Sequence, residues 1–389
     1  MNIDHTHMKD PSIPNSVSVI VQQILLLTTL LVSIYMHALE LPILPTVVGL
    51  SSLMIIALSI WAYRNTITWF ERTTLLAILF LSLYAQFFSQ KGALAFPIVL
   101  SYMFLGFSFG LTLRHSRFNR WLLHGFGYLA LLPFIYGFFI MGIDLRRGGE
   151  FLGMNRNTIP RLLFMSCSLV FLAQYIQKQR TDIVLAALTV LISFLSRSRA
   201  GLLISSGLCI LVLLQGYVHI PIRTWLQGHR FLAVLLVLIA LVILFFAGMY
   251  LFENSRLETQ GLDSNGRQEI HMKFLHELTP QRVLLGYRPA ILDGIGLHSS
   301  YLTLLSMFGV LTSVVVVCFL LLIFRLGKQS LFLFGLLLLF SVYSLVESLS
   351  PFAEGDVLLI TLILCAQPVN NNNSASNEHR QNIQRLIAL

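Results

Sequence analysis

Residues 300–324 read SYLTLLSMFGVLTSVVVVCFLLLIF, 25 positions without one charged side chain. At about 1.5 Å of rise per residue, a helix of that length exceeds the roughly 30 Å hydrocarbon core of a bilayer. Similar uncharged runs recur on both sides of it, divided by Lys, Arg, Pro and Gly. They mark about twelve candidate spans, near 17–38, 43–63, 73–89, 94–113, 121–142, 160–177, 182–196, 200–218, 231–252, 300–324, 330–347 and 355–367, the seventh and twelfth short. The chain of 389 residues is 56% hydrophobic and 11% charged, whereas a soluble domain carries about a quarter charged residues. An all-α, polytopic integral membrane protein follows. A cytosolic enzyme, a nucleic-acid binder and a disulfide scaffold are excluded. Cys167, Cys209, Cys318 and Cys365 all fall inside apolar runs, where a thiol behaves as a small hydrophobe, so neither a disulfide nor a cysteine metal site is expected. Met1 to Ser16 is polar and lacks the apolar core of a signal peptide.

The basic balance has a topological explanation. With the N-terminus placed in the cytoplasm, one side carries fourteen Lys and Arg against five acids, and the other side twelve of each. The whole net charge of +9 therefore lies on the predicted cytoplasmic side, as the positive-inside bias requires. This ordering gives a cytoplasmic tail over 1–16, a bundle of about nine spans over 17–252, a large outer loop over 253–297, further spans over 298–367 and a disordered cytoplasmic tail over 368–389. No nucleic-acid or nucleotide partner is expected; membrane lipids are.

Ten of the twelve outward positive charges are arginines: Arg146, Arg147, Arg156, Arg161, Arg197, Arg199, Arg256, Arg267, Arg282 and Arg288. Arg offers a rigid, permanently charged fork that suits phosphate oxygens. Taken singly, each is explained as well by outer acids or anionic headgroups. The outer loop should hold structure of its own. Asp263-Ser264-Asn265-Gly266 reads as a turn, Ile270, Phe274 and Leu278 recur at helical spacing, and Pro280 ends that run. Arg267 and His271 lie one turn apart on this amphipathic helix.

No Walker A loop, HExxH or Cys/His ligand spacing occurs in the chain, so neither nucleotide hydrolysis nor zinc catalysis is supported and no cofactor or metal is expected. Glu40, Glu347, Glu354 and Asp356 sit at predicted outer ends rather than mid-span, which weakens an ion-coupled transporter reading. Three outward features carry chemistry. Ser196-Arg197-Ser198-Arg199-Ala200-Gly201 puts two arginines in the tight turn between the seventh and eighth spans; headgroup binding and ligand binding account for them equally well. Arg267 leads the loop helix, where an ordinary solvated arginine is the simpler alternative. His298-Ser299 opens the tenth span, where the positive end of a helix dipole favours a neutral imidazole able to accept a proton. An interfacial histidine is more often a polar anchor than a base. Gly309, eleven residues on, lies about three turns and roughly 16 Å deeper on an unbroken helix.

In combination, these residues resemble a family. Ser264-Asn265-Gly266-Arg267, Gly286-Tyr287, His298-Ser299 and Gly309-Val310-Leu311-Thr312 resemble the C-terminal signature of the O-antigen ligase and polymerase superfamily, the last two fitting the H-[NSQ]-x9-G-x-x-[GTY] pattern of the ligase branch. Ser198-Arg199-Ala200-Gly201 resembles the family's Ser-Arg-Gly/Ala turn, and Gly153 to Asn157 its Gly- and Asn-containing outer loop. The motifs cover roughly residues 150–325.

The resemblance implies a GT-C-like membrane glycosyltransferase of the bacterial inner membrane, working on the periplasmic side without metal or nucleotide sugar. The donor would be O-antigen on undecaprenyl diphosphate and the acceptor lipid A-core. Arg199 and Arg267, with Arg197 and Arg288, would bind the diphosphate, where developing negative charge needs fixed cations. His298 would take the proton of the acceptor hydroxyl, or alternatively bind the diphosphate. The polymerase branch is the runner-up; its Arg-x10-Gly pattern occurs here as Arg114 with Gly125, on the predicted cytoplasmic side. A flippase and a protein O-glycosyltransferase are the remaining alternatives.

Overall fold

The computed structural model describes residues 17–39, 43–88, 96–145, 151, 152, 154, 156–214, 274–286, 299–347, 349 and 353–367. Among these residues the chain is helical: α1 (Val17–Leu39), α2 (Leu44–Tyr63), α3 (Trp69–Phe88), α4 (Phe96–His115), α5 (Arg120–Ile135), α6 (Thr158–Ile176), α7 (Ile183–Leu195), α8 (Arg199–Leu213), α9 (Pro280–Leu285), α10 (Ser300–Phe308), α11 (Leu311–Gln329), α12 (Leu331–Val346) and α13 (Gly355–Cys365). A π-helical turn, Tyr136–Ile140, follows α5 just beyond Pro133, which lacks the N–H that an unbroken ladder needs. Among the described residues, four helical stretches are long and apolar enough to cross a membrane: Leu44–Tyr63, Arg120–Ile140, Thr158–Ile176 and Leu311–Gln329. The predicted span at 231–252 and both tails lie outside the described residues.

Eight predicted spans, from 17–38 to 200–218, correspond one for one to α1 through α8. Three of these helices start at polar caps. Asn119 accepts from the Trp121 N–H at 2.9 Å at the start of α5, Asp182 from Leu185 at 3.0 Å at α7, and Ser198 from Gly201 at 3.2 Å at α8. The pillar of the bundle is α6: 83% of its apolar window is buried, against 11% for α11.

One prediction fails. The uncharged run 300–324 is not a single span but α10 and α11, divided at Gly309. That glycine has φ +51°, a backbone conformation open mainly to glycine. A Cβ there would strike the Gly286 nitrogen and the Val283 and Leu284 carbonyls. Hydropathy was satisfied by α11 alone. The helix α10 instead lies across the predicted outer ends: Ser300 bonds at the α12–α13 turn, and Phe308 stacks on Tyr84 near the end of α3 at 6.1 Å. Gly309 is thus the corner between two helices and not a deeper position on one. The helical residues 274–276 stop before Pro280, as expected, and Pro280 itself then starts α9. Thr279 caps α9 through the Arg282 N–H at 3.4 Å, and a proline suits the first helical position because its missing N–H is not needed there. Phe274, on the predicted apolar face, is fully buried.

The helix ends alternate between two faces. The predicted inner face carries Arg64, Arg72, Arg114, Arg117, Arg120, Lys178 and Arg180, together with the exposed Trp61, Trp69 and Trp121. Such aromatic and basic collars mark a membrane interface.

Candidate functional site

At the opposite face, the starts of α6, α8, α10 and α13 and the end of α12 converge. The α7–α8 turn is built from serines. Ser196 donates to the Ser193 carbonyl at 2.8 Å, and Ser198 caps α8. Between them Arg197 takes φ +57°, a left-handed conformation that costs a non-glycine residue about 1 kcal/mol or more. Its guanidinium approaches Asp144 at 3.8 Å with both side chains largely exposed, so the pair holds little energy. Arg199, the first residue of α8, is exposed. Gly201 presses on the Pro160 ring so closely that any Cβ would collide with it. This contact fixes the arginine turn against the first turn of α6.

The next residue on α6 is Arg161. Its Nη2 lies 3.4 Å from Glu354 Oε1, and Glu347, Tyr343 and Tyr102 are within its electrostatic reach. Glu347, Glu354 and Asp356 are all buried, the last accepting from the Ala353 N–H at 3.0 Å. The Arg161 guanidinium thus faces two buried acids, Glu354 and Glu347. Among the described residues its Nε and the Tyr343 hydroxyl have no hydrogen-bond partner, although native interiors satisfy nearly all such groups. The Tyr343 ring is held edge-on by Phe164 at 5.7 Å, one turn along α6.

Ser300 completes the arrangement. Its hydroxyl donates to the Glu347 carbonyl at 3.2 Å and accepts from the Leu349 N–H at 2.8 Å. The N-terminus of α10, beginning at the buried Ser299, is thereby tied to the end of α12. Of the residues expected at the site, Arg197 and Arg199 share this face with Ser299, while Arg267, Arg288 and His298 lie outside the described residues. The motif glycines Gly286 and Gly309 are packed on each other, both with positive φ.

The buried centre itself was missed from sequence. Arg161 counted there as one outward arginine among ten, and its partner lies 193 residues away. The available signal was that three acids occupy consecutive helix ends on that face. Comparison of the chain with protein-family models, with curated proteins and with solved structures returns no match.

Arg114 of the polymerase-like Arg-x10-Gly spacing belongs elsewhere. At the predicted inner face its Nε lies 2.9 Å from Glu71 Oε1, and its Nη1 donates to the carbonyls of Leu364 and Gln367. His115 Nε2 meets the same Glu71 oxygen at 2.9 Å.

Proposed function

We propose that the chain is an O-antigen ligase, a membrane-embedded glycosyltransferase that moves a polysaccharide from undecaprenyl diphosphate to a sugar hydroxyl of lipid A-core. Its setting is the bacterial inner membrane, with about twelve spans, a GT-C-like fold and the site facing the periplasm. One observation carries this reading: the Ser198–Gly201 turn and Ser299, the chain neighbour of His298, belong to the same face and border one buried polar centre. Ser198–Gly201 and Ser299, about a hundred residues apart in sequence, therefore lie at one end of the bundle.

In this mechanism Arg199 and Arg267, assisted by Arg197 and Arg288, hold the diphosphate oxygens. The acceptor hydroxyl attacks the anomeric carbon, the bond from that carbon to the phosphate oxygen breaks, and undecaprenyl diphosphate leaves with the electron pair. His298 takes the hydroxyl proton. The attack comes from the face opposite the leaving group, so the anomeric centre inverts. Fixed guanidinium groups aimed at the leaving oxygens lower the barrier because they need no reorganisation when the charge develops. The occupation of Arg114 by Glu71 favours this branch over the polymerase.

Purified protein, lipid-linked glycan and rough lipopolysaccharide mixed in detergent provide the test. Conjugate on lipid A-core supports the ligase, whereas longer lipid-linked chains alone overturn it in favour of a polymerase. His298→Ala and Arg267→Ala should each abolish transfer at normal membrane abundance; full transfer by either variant removes that residue's role.

A further inference from the structure

We infer that the predicted inner face carries a binding site for the headgroup of an anionic phospholipid, formed by Arg64, Arg72 and Arg117. The three come from different turns: Arg64 closes α2, Arg72 lies near the start of α3, and Arg117 lies just beyond α4. Each is the chain neighbour of a residue in the buried cluster that ties those turns together. Tyr63 donates to Ser116 at 3.0 Å and stacks on His115 at 5.4 Å, while Glu71 meets Arg114 and His115 at 2.9 Å. The stretch from Arg117 to Asn119 is fixed from its other side by Gln23 of α1, which donates to the Arg117 carbonyl at 2.8 Å and accepts from the Asn119 N–H at 3.0 Å. Three exposed arginines are thereby gathered by the contacts beneath them, whereas a general excess of positive charge on this side would need no such gathering.

Charge defines the occupant. Between Leu41 and Ile143 the sequence has a single acid, Glu71. It is fully buried, with one oxygen accepting from the Thr68 N–H at 2.6 Å and the other beside Arg114 and His115. The charge that neutralises the exposed Arg64, Arg72 and Arg117 therefore comes from outside this stretch. A guanidinium fork matches phosphate oxygens, and basic clusters beside membrane-crossing helices on the cytoplasmic side take acidic headgroups. Free phosphate would leave the surroundings unused. Trp61 and Trp69 are 64% and 76% exposed, and the Arg64 guanidinium lies over the Trp61 ring at 5.9 Å, as suits the depth where indoles meet headgroups. Toward the membrane centre, the exposed Leu58 and Met54 follow Trp61 at helical spacing along α2, and the exposed Leu76 and Phe80 follow Arg72 along α3. A lipid, with phosphate at the arginines and acyl chains along these apolar flanks, meets both parts.

The test is native mass spectrometry of the full-length protein in detergent, titrated with phosphatidylglycerol or with zwitterionic phosphatidylethanolamine and read as the Kd of the first lipid bound. Phosphatidylglycerol should bind about fivefold or more tightly than phosphatidylethanolamine; equal affinities overturn the inference. Arg64→Gln/Arg72→Gln/Arg117→Gln should bring the two lipids to about the same Kd, because the cations that distinguish them are gone. Lys178→Gln/Arg180→Gln/Arg325→Gln removes as many exposed cations from other turns of the same face and should keep the native preference within about twofold. If both triple variants lose the preference alike, the charge acts diffusely and there is no site at Arg64, Arg72 and Arg117. Glycerol 3-phosphate, which carries the phosphate without acyl chains, should fail to displace bound phosphatidylglycerol even in large excess. Displacement would make a soluble phosphate the ligand and overturn the assignment to a lipid. Should the first triple variant fail to insert, Arg72→Gln alone should weaken phosphatidylglycerol about threefold or more, and an unchanged Kd in that variant counts against the site.

Discussion

The two faces of the bundle each bury an arginine beside a carboxylate, and they are finished differently. At the predicted inner face, Glu71 accepts from the Thr68 N–H at 2.6 Å, sits 2.9 Å from both Arg114 and His115, and is fully buried. Arg114 also closes the end of α13, where carbonyls are left over by the helix. Tyr63 stacks on His115 at 5.4 Å and reaches Ser116 at 3.0 Å. At the other face, Arg161 holds Glu354 at 3.4 Å beside a Tyr343 hydroxyl that has no hydrogen-bond partner among the described residues, whereas the Nε of Arg161 and that of Arg114 alike make no hydrogen bond there. A centre whose acid is gripped by an N–H, a guanidinium and an imidazole at once holds helices together. One that leaves a buried tyrosine hydroxyl over among the described residues retains unmet capacity, the usual mark of a working site.

This contrast can be broken experimentally. The largest effect is expected at the complete centre: Glu71→Ala strands Arg114 without its acid and should cost about 3–5 kcal/mol, read as a collapse of the thermal transition in detergent. If the protein melts as before, the inner centre is not the staple described. Next comes Arg199→Ala, which should leave melting unchanged and lower kcat about 10²- to 10³-fold, the usual loss when one donor to a developing anion is removed. A large drop in melting temperature instead would make Arg199 structural. Gly201→Ala forces a methyl into Pro160 and should destabilise by about 1–3 kcal/mol, with transfer lost alongside stability. The smallest effect belongs to Asp144→Asn, where an exposed pair with Arg197 is broken. It should shift stability by less than about 1 kcal/mol, and a larger shift would show that Asp144 orders the turn.

Much of the architecture was legible because crossing helices announce themselves by length and apolarity. The predicted 43–63 and the observed Leu44–Tyr63 differ by one residue, and the short spans predicted at 182–196 and 355–367 appear as Ile183–Leu195 and Gly355–Cys365. The corner at Gly309 was not legible, since an uncharged run looks the same whether it is straight or folded. What sets the corner is its packing against Gly286, a contact that no local pattern encodes. At the site, the Ser-Arg-Ala-Gly turn could be found because its capping serine and small residues are adjacent in sequence. Arg161 could not, because its importance comes from Glu347 and Glu354, which reach it only through the packing of α6, α12 and α13.

The exposed tryptophans Trp61, Trp69 and Trp121 all lie at one end, and interfacial indoles pin a protein's depth where they sit. Height in the bilayer is thus referenced from that side, like a post set in one bank. A thicker lipid sheet would shift the far water boundary relative to α10 and the short α13, at modest cost for each ångström of mismatch. Lipid chain length would then adjust how deeply the Arg161 centre is submerged, while the Glu71 centre stays at its own level.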